Sequence, residues 1–133
     1  VDIANAIGVL NATVAKQVIQ LAASDESTAL TTGAAKVSFR MPAAFTLSSV
    51  KASLVTAQAS GTIFTVNIKK NGTTIFSTKI TIDNAALTSV GATTPAVLST
   101  TAFADDDLIT VDIDQIGDGT AKGLKISMIG IWA

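Results

Sequence analysis

The sequence predicts a single all-β domain of antiparallel strands, and three observations predict it. Beyond residue 16, apolar side chains recur with a period of two; Gly, Asn, Ser and Asp cluster between these runs; and no run keeps the period of an amphipathic helix. The 133 residues, 48% of them hydrophobic, suffice for one enclosed core and leave no room for a second domain of ordinary size.

Residues 1–16 stand apart. Ile3, Ala4, Ile7, Val9, Leu10, Ala12 and Val14 are apolar at mixed spacing, while Asn5, Gly8 and Asn11 weaken an isolated helix. The segment therefore reads as a short helical or extended arm that needs a surface to lie on. Strands begin with KQVIQLAA, which the turn-forming SDES and the polar spacer TALTTG follow. Lys36 to Met41 sets Val37, Phe39 and Met41 on one side of a strand, and Pro42 limits it because it has no backbone donor. The next strand opens near Phe45, where Val50, Ala52 and Leu54 alternate with Lys51 and Ser53. Ser60 and Gly61 turn the chain.

Phe64, Val66 and Ile68 then alternate with Thr65, Asn67 and Lys69, and Lys70-Asn71-Gly72 supplies the backbone freedom of a tight hairpin. The return strand, TTIFSTKITI, is expected to turn Phe76, Thr78, Ile80 and Ile82 inward and Ile75 outward. Residues 83–95 keep no period and are expected to form a helical turn or to cross the end of the domain. A short strand at 96–99, an acidic turn at 104–107, a strand from Leu108 to Gln115, a Gly-Asp-Gly turn at 117–119 and a final strand to Trp132 complete seven or eight. That is too many for a lone sheet, and long connections alternate with short ones. The expected architecture is an antiparallel two-sheet jelly-roll sandwich over residues 17–133, behind an attachment arm at 1–16.

Composition narrows the function classes. Nine basic and ten acidic residues leave a net charge of -1 with no basic cluster, which disfavours nucleic-acid partners. No apolar window approaches the roughly 18 to 20 residues of a membrane-spanning helix, so no membrane insertion is expected. The start, VDIANAIGVLNATVAKQ, reverses the basic-first pattern of a secretory signal, and Val1 in place of Met suggests processing or omitted residues. With neither Cys nor His, structural zinc, iron–sulfur ligation and thiol nucleophiles are excluded.

The remaining chemistry is thin. Asp105, Asp106 and Asp107 read as a solvated turn, with a calcium site as the sharper alternative. Asp112, Asp114 and Asp118 lie in DIDQIGDG, which lacks the closing Glu and flanking helices of an EF-hand and reads as a half-exposed strand and a glycine turn. Thirty Ser and Thr residues have no histidine to activate them, and Glu26 is the one glutamate available to a carboxylate pair. Phe39, Phe64 and Phe76 sit in strand patterns that assign them to the core. Trp132, the one Trp, reads as core or subunit interface in preference to a sugar platform. The expectation is a chain that is not an enzyme, with no catalytic, cofactor-binding or metal residues, and with Ile3, Ile7, Val9, Leu10 and Trp132 as interface residues.

Four segments together carry a resemblance: FRMPAAFTL at 39–47, SGTIFTV at 60–66, NGTTIFSTKITID at 71–83 and DQIGDGTAKGLK at 114–125. Over about residues 36–130 the chain resembles a jelly-roll domain of tailed-bacteriophage virion proteins, often found at the end of tail or head fibres. The resemblance implies a virion part, non-enzymatic, with no catalytic residues to carry over. Since no shaft or coiled coil precedes the domain here, a capsid decoration protein on the head surface is expected, as a homotrimer contacting the major capsid protein or other virion proteins. The alternative is a tail or head fibre domain that binds host surface glycans through distal loops near Asp105–Asp107 or Asp118.

Overall fold

A computed structural model describes residues 15–133. All but the last two residues of the expected arm, with the interface candidates Ile3, Ile7, Val9 and Leu10, lie outside the described residues.

The described chain is all-β, with no helix. Its strands are β1 (Gln17–Ala22), β2 (Gly33–Arg40), β3 (Phe45–Ser53), β4 (Phe64–Lys70), β5 (Thr73–Thr74), β6 (Phe76–Thr78), β7 (Ile80–Ile82), β8 (Val97–Leu98), β9 (Ala102–Phe103), β10 (Leu108–Gln115) and β11 (Lys125–Trp132). One sheet has the order β1-β11-β3-β9; a second has β2-β10-β4-β5, with β7 also on β4; β6 and β8 form a small ladder of their own. All pairings are antiparallel. The inner faces of the two large sheets bury one cluster: Leu47, Ile126 and Met128 from the first meet Phe64, Val66, Ile68, Ile109, Val111 and Ile113 from the second. Burial of each such side chain contributes about 1.5–3 kcal/mol, so the period-two residues in the sequence hold the layers together.

The hairpin after β4 forms at the expected residues. Asn71 (φ 49) and Gly72 (φ 85) both take the left-handed conformation of a two-residue turn whose twist matches its strands, and Lys70 pairs with Thr73. The strand that follows departs from expectation. Ile75 is buried as deeply as Ile80 and Ile82, and Phe76 beside it is buried too. Adjacent side chains of a regular strand point to opposite faces, so burying both requires the chain to leave its ladder. It pairs with β4 as far as Thr74, detours through β6 to pair with β8, and rejoins β4 at Ile80. This break, and β9, raise the strand count to eleven.

Bulges reset the alternation elsewhere. In β3 the register passes from Leu47 opposite Gly130 to Ser49 opposite Ile129, leaving Ser48 as an extra residue. The inward set accordingly switches from Phe45 and Leu47 to Ala52 and Leu54. In β2, Val37 pairs with Val111 and Gly33 with Ile113, so three residues stand opposite Asp112. Ala35, at φ 49, points its N–H at Asp112 Oδ1 (2.8 Å), and Lys69 Nζ lies 2.9 Å from Oδ2. Asp112 is thereby buried, at 4% exposure, where a half-exposed strand position was expected. Phe39, expected in the core, is half-buried because β2 is an edge strand. Residues 83–95 form turns and a single bridge, Ser53 to Thr88, and so serve as a connection.

Candidate functional site

The two ends of the sandwich are built from different chemistry. At the end where β1 begins and β11 finishes, Gln17 stands opposite Gly130, and two residues further Trp132 stands opposite Phe45 of β3. Gly130 is required there: a Cβ would lie 2.1 Å from the Thr46 carbonyl oxygen and 2.8 Å from Phe45 Cζ. The Phe45 ring occupies the space over Gly130, and the Trp132 ring meets it edge-on, with centroids 4.8 Å apart and planes at 62°. Phe45 is buried, but Trp132 keeps 44% of its surface exposed. Of the two placements expected for Trp132, core or subunit interface, its exposure at the rim is incompatible with the core, for a simple reason. β1 pairs only up to Gly130, so Trp132 has a neighbouring strand on one side alone among the described residues.

The acidic turn lies at this same end. Met41 N–H donates to the Asp107 carbonyl and Asp106 N–H to the Met41 carbonyl, each at 2.9 Å. The Asp107 carboxylate accepts from Ala104 N–H (2.8 Å) and from Asn71 Nδ2 (2.9 Å), while Asn71 Oδ1 accepts from Leu108 N–H (2.9 Å). The Ala104 hydrogen bond, with that of Asn71 second, holds the Asp107 carboxyl below its ordinary range. Asp106 faces Arg40 at 3.6 Å, both well exposed, a pair worth little. Asp106 and Asp107 thus engage separate partners, and Asp107 spends its oxygens on its own turn and on Asn71 of the adjacent hairpin.

At the opposite end the loops are tied to one another. Gln58, buried, donates through Nε2 to the Thr62 carbonyl (2.7 Å) and to Asn84 Oδ1 (2.6 Å), and accepts from Gly117 N–H (2.8 Å). Gly117 passes so close that a Cβ would lie 2.3 Å from the Ser60 carbonyl oxygen. Asp118 accepts from Ala59 and Ser60 N–H (3.0 and 3.1 Å) and from Thr120 Oγ1 (2.7 Å). The Thr120 hydroxyl bond is the largest cause of its lowered pKa. Asp25 repeats the device, accepting from Thr28 N–H (2.7 Å), Thr28 Oγ1 (2.8 Å) and Ser27 N–H (3.0 Å), with the Thr28 backbone bond lowering its pKa most. Glu26 pairs with Lys125, and Asp114 with Lys79. Among the described residues no three acidic groups converge where a metal ion could be held, and no buried side-chain polar atom lacks a partner.

No family model, no curated protein and no solved structure matches this chain. What the geometry itself offers is exposed apolar surface. The segment carrying Ile3, Ile7, Val9 and Leu10 joins the described domain at Ala15, two residues before Gln17, at the end where Trp132 is exposed. A second apolar area went unread in the sequence: a groove of about 510 Å³ beside β3, with Val50, Pro95 and the exposed Val90 and Val97 in its wall. Residues 83–95 and their flank carry no periodic pattern from which it could have been found.

Proposed function

We propose that the chain is a non-enzymatic structural protein of a tailed-bacteriophage virion, a capsid decoration protein that binds the head surface through the Trp132 end of the domain. The observation that carries this reading is the meeting of the N-terminal segment's point of departure with an exposed Trp at one end of one sheet. An aromatic ring that is half exposed and packed edge-on against Phe45 is the kind of anchor that dominates interfaces. Strand order supports a jelly roll. With β5–β7 taken as one interrupted strand and β8–β9 as another, the sheets read 1-8-3-6 and 2-7-4-5, the order of two interleaved Greek keys. The four segments that resemble phage virion domains fall on these strands and their turns. The partner is the major capsid protein, and the site is the outer face of the shell.

Cryo-electron microscopy of particles carrying the protein tests this. The expected density lies on the shell lattice with the Trp132 end against the capsid, and removal of residues 1–14 or Trp132→Ala lowers occupancy roughly tenfold at limiting protein, equivalent to about 1.4 kcal/mol. Density confined to the tail tip would replace decoration by the fibre reading, and absence from particles would reject both.

A further inference from the structure

We propose that the edge of β1 away from β11, unpaired among the described residues, is a self-association site, where a second copy of this chain adds its own β1 antiparallel across a two-fold axis and joins two sheets into one. The proposal is independent of the virion reading.

Free strand edges present unpaired N–H and C=O groups to any passing strand, and folded proteins blunt them. Three edges of this molecule are blunted. β2 carries a bulge at Ala35, with Lys36 and Arg40 along it. β9 is two residues long, and the β5–β7 edge is broken by the detour to β8. β1 has none of these features. Its six residues, QVIQLA, contain no charge, Gly or Pro, pair with β11 in unbroken register, and have no second partner among the described residues. Val18 on its outward face is 56% exposed.

The strand is also complementary to itself. Ile19 and Leu21 pack on the core, so Val18, Gln20 and Ala22 face outward. A two-fold axis perpendicular to the sheet keeps inward residues opposite inward ones, which limits the registers. With Gln20 on the axis, the two Gln20 amides meet, Val18 stands opposite Ala22 and Ile19 opposite Leu21, so amide faces amide and apolar faces apolar. Lys16 then falls opposite Ser24 of the other copy, one residue from Asp25, which places a positive charge near a negative one at both ends of the new pair. The neighbouring register, with Ile19 on the axis, sets Gln17 against Leu21 and Lys16 against Ala22 and has neither advantage.

The chain contains no cysteine, so one introduced thiol can link only to another copy. In the full chain, Gln20→Cys is expected to give a disulfide dimer under mild oxidation, because residues directly opposite in an antiparallel pair have Cα atoms about 4.5–5.5 Å apart, within disulfide range. Val18→Cys alone is expected to stay unlinked, its mate lying about 13 Å away along the strand, whereas Val18→Cys with Ala22→Cys links. Unmodified protein is expected to sediment as an even-numbered assembly that Gln20→Lys shifts to smaller species. Gln20→Cys linking no faster than Lys51→Cys, on β3 and separated from β1 by β11, would overturn the proposal. So would a wild-type protein that sediments only as monomer or trimer.

Discussion

The loop end and the Trp132 end of the sandwich close the same core by opposite means. At the loop end, Gln58, Asn84 and Asp118 hydrogen-bond to the backbone and side chains of neighbouring loops, Gln58 and Asn84 also to each other, so three separate connections become one unit. At the other end an aromatic ring lies over Phe45 with half its surface toward water. A network of this kind loses much when one member is removed, since the groups left behind are buried and unpaired. An apolar cap loses only the area it covers. The first end is therefore specialised for fixing the fold, and the second has contact surface to spare for a partner.

The sharpest way to break the comparison is Gln58→Leu, which strands the Gly117 N–H and the Thr62 carbonyl. It should destabilise the domain by about 3 kcal/mol, read as a fall in the urea midpoint at unchanged slope. Trp132→Ala should cost less, about 1.5 kcal/mol, because removing a fully buried aromatic costs about 3–5 kcal/mol and roughly half of this ring is already exposed. Unfolding at two protein concentrations refines this: a concentration-dependent loss assigns the ring to a contact between copies. If Trp132→Ala proves the more damaging, the division between the two ends is wrong.

Acid should act on both ends, and more on the loops. The folded pKa values of Asp25, Asp107 and Asp118 are all depressed by hydrogen bonds donated to the carboxylates. Depressed aspartates contribute stability that is present above the ordinary value of about 4 and is lost as pH falls through the lower folded values. The urea midpoint should therefore stay level from pH 7 to about 5 and decline below about 4. Asp25→Asn or Asp118→Asn should flatten that decline. At high pH the sign reverses for Lys69, whose pKa is raised by Asp112, so its contribution persists until pH rises past the ordinary lysine range. The smallest expected effect is that of calcium chelation. Asp107 and Asp118 have their oxygens engaged at opposite ends, and the melting temperature should not move; a calcium-specific fall would overturn that assignment.

Much of this architecture could be read from alternation alone. β4, β10 and β11 are regular enough for the period of two to identify their core residues, and Asn71-Gly72 needs only local backbone preference to specify the hairpin. The misreadings fall where the backbone departs from a flat strand. Ile75 and Phe76 are both buried because the chain leaves its ladder, a decision made by β8, about twenty residues on. Asp112 is buried because a bulge in a distant strand supplies it with a donor. Trp132 shares the parity of Ile126 and Met128 but not their burial, because parity sets a direction and says nothing of where the neighbouring strand stops. The same limit applies to the candidate site, whose exposed ring depends on β1 beginning at Gln17.

Because β1 and β11 run antiparallel, the polypeptide enters the domain and leaves it at one end of a single ladder, with Gln17 beside Gly130. A pull applied between these two points loads the ladder one rung at a time, like a zipper. Strands drawn past each other along their length would share the force among all their hydrogen bonds. A tether at either point alone leaves the ladder unstressed. Mechanical strength in this molecule is thus a property of how it is held: firm when hung from one strand, and readily peeled when stretched between its first strand and its last.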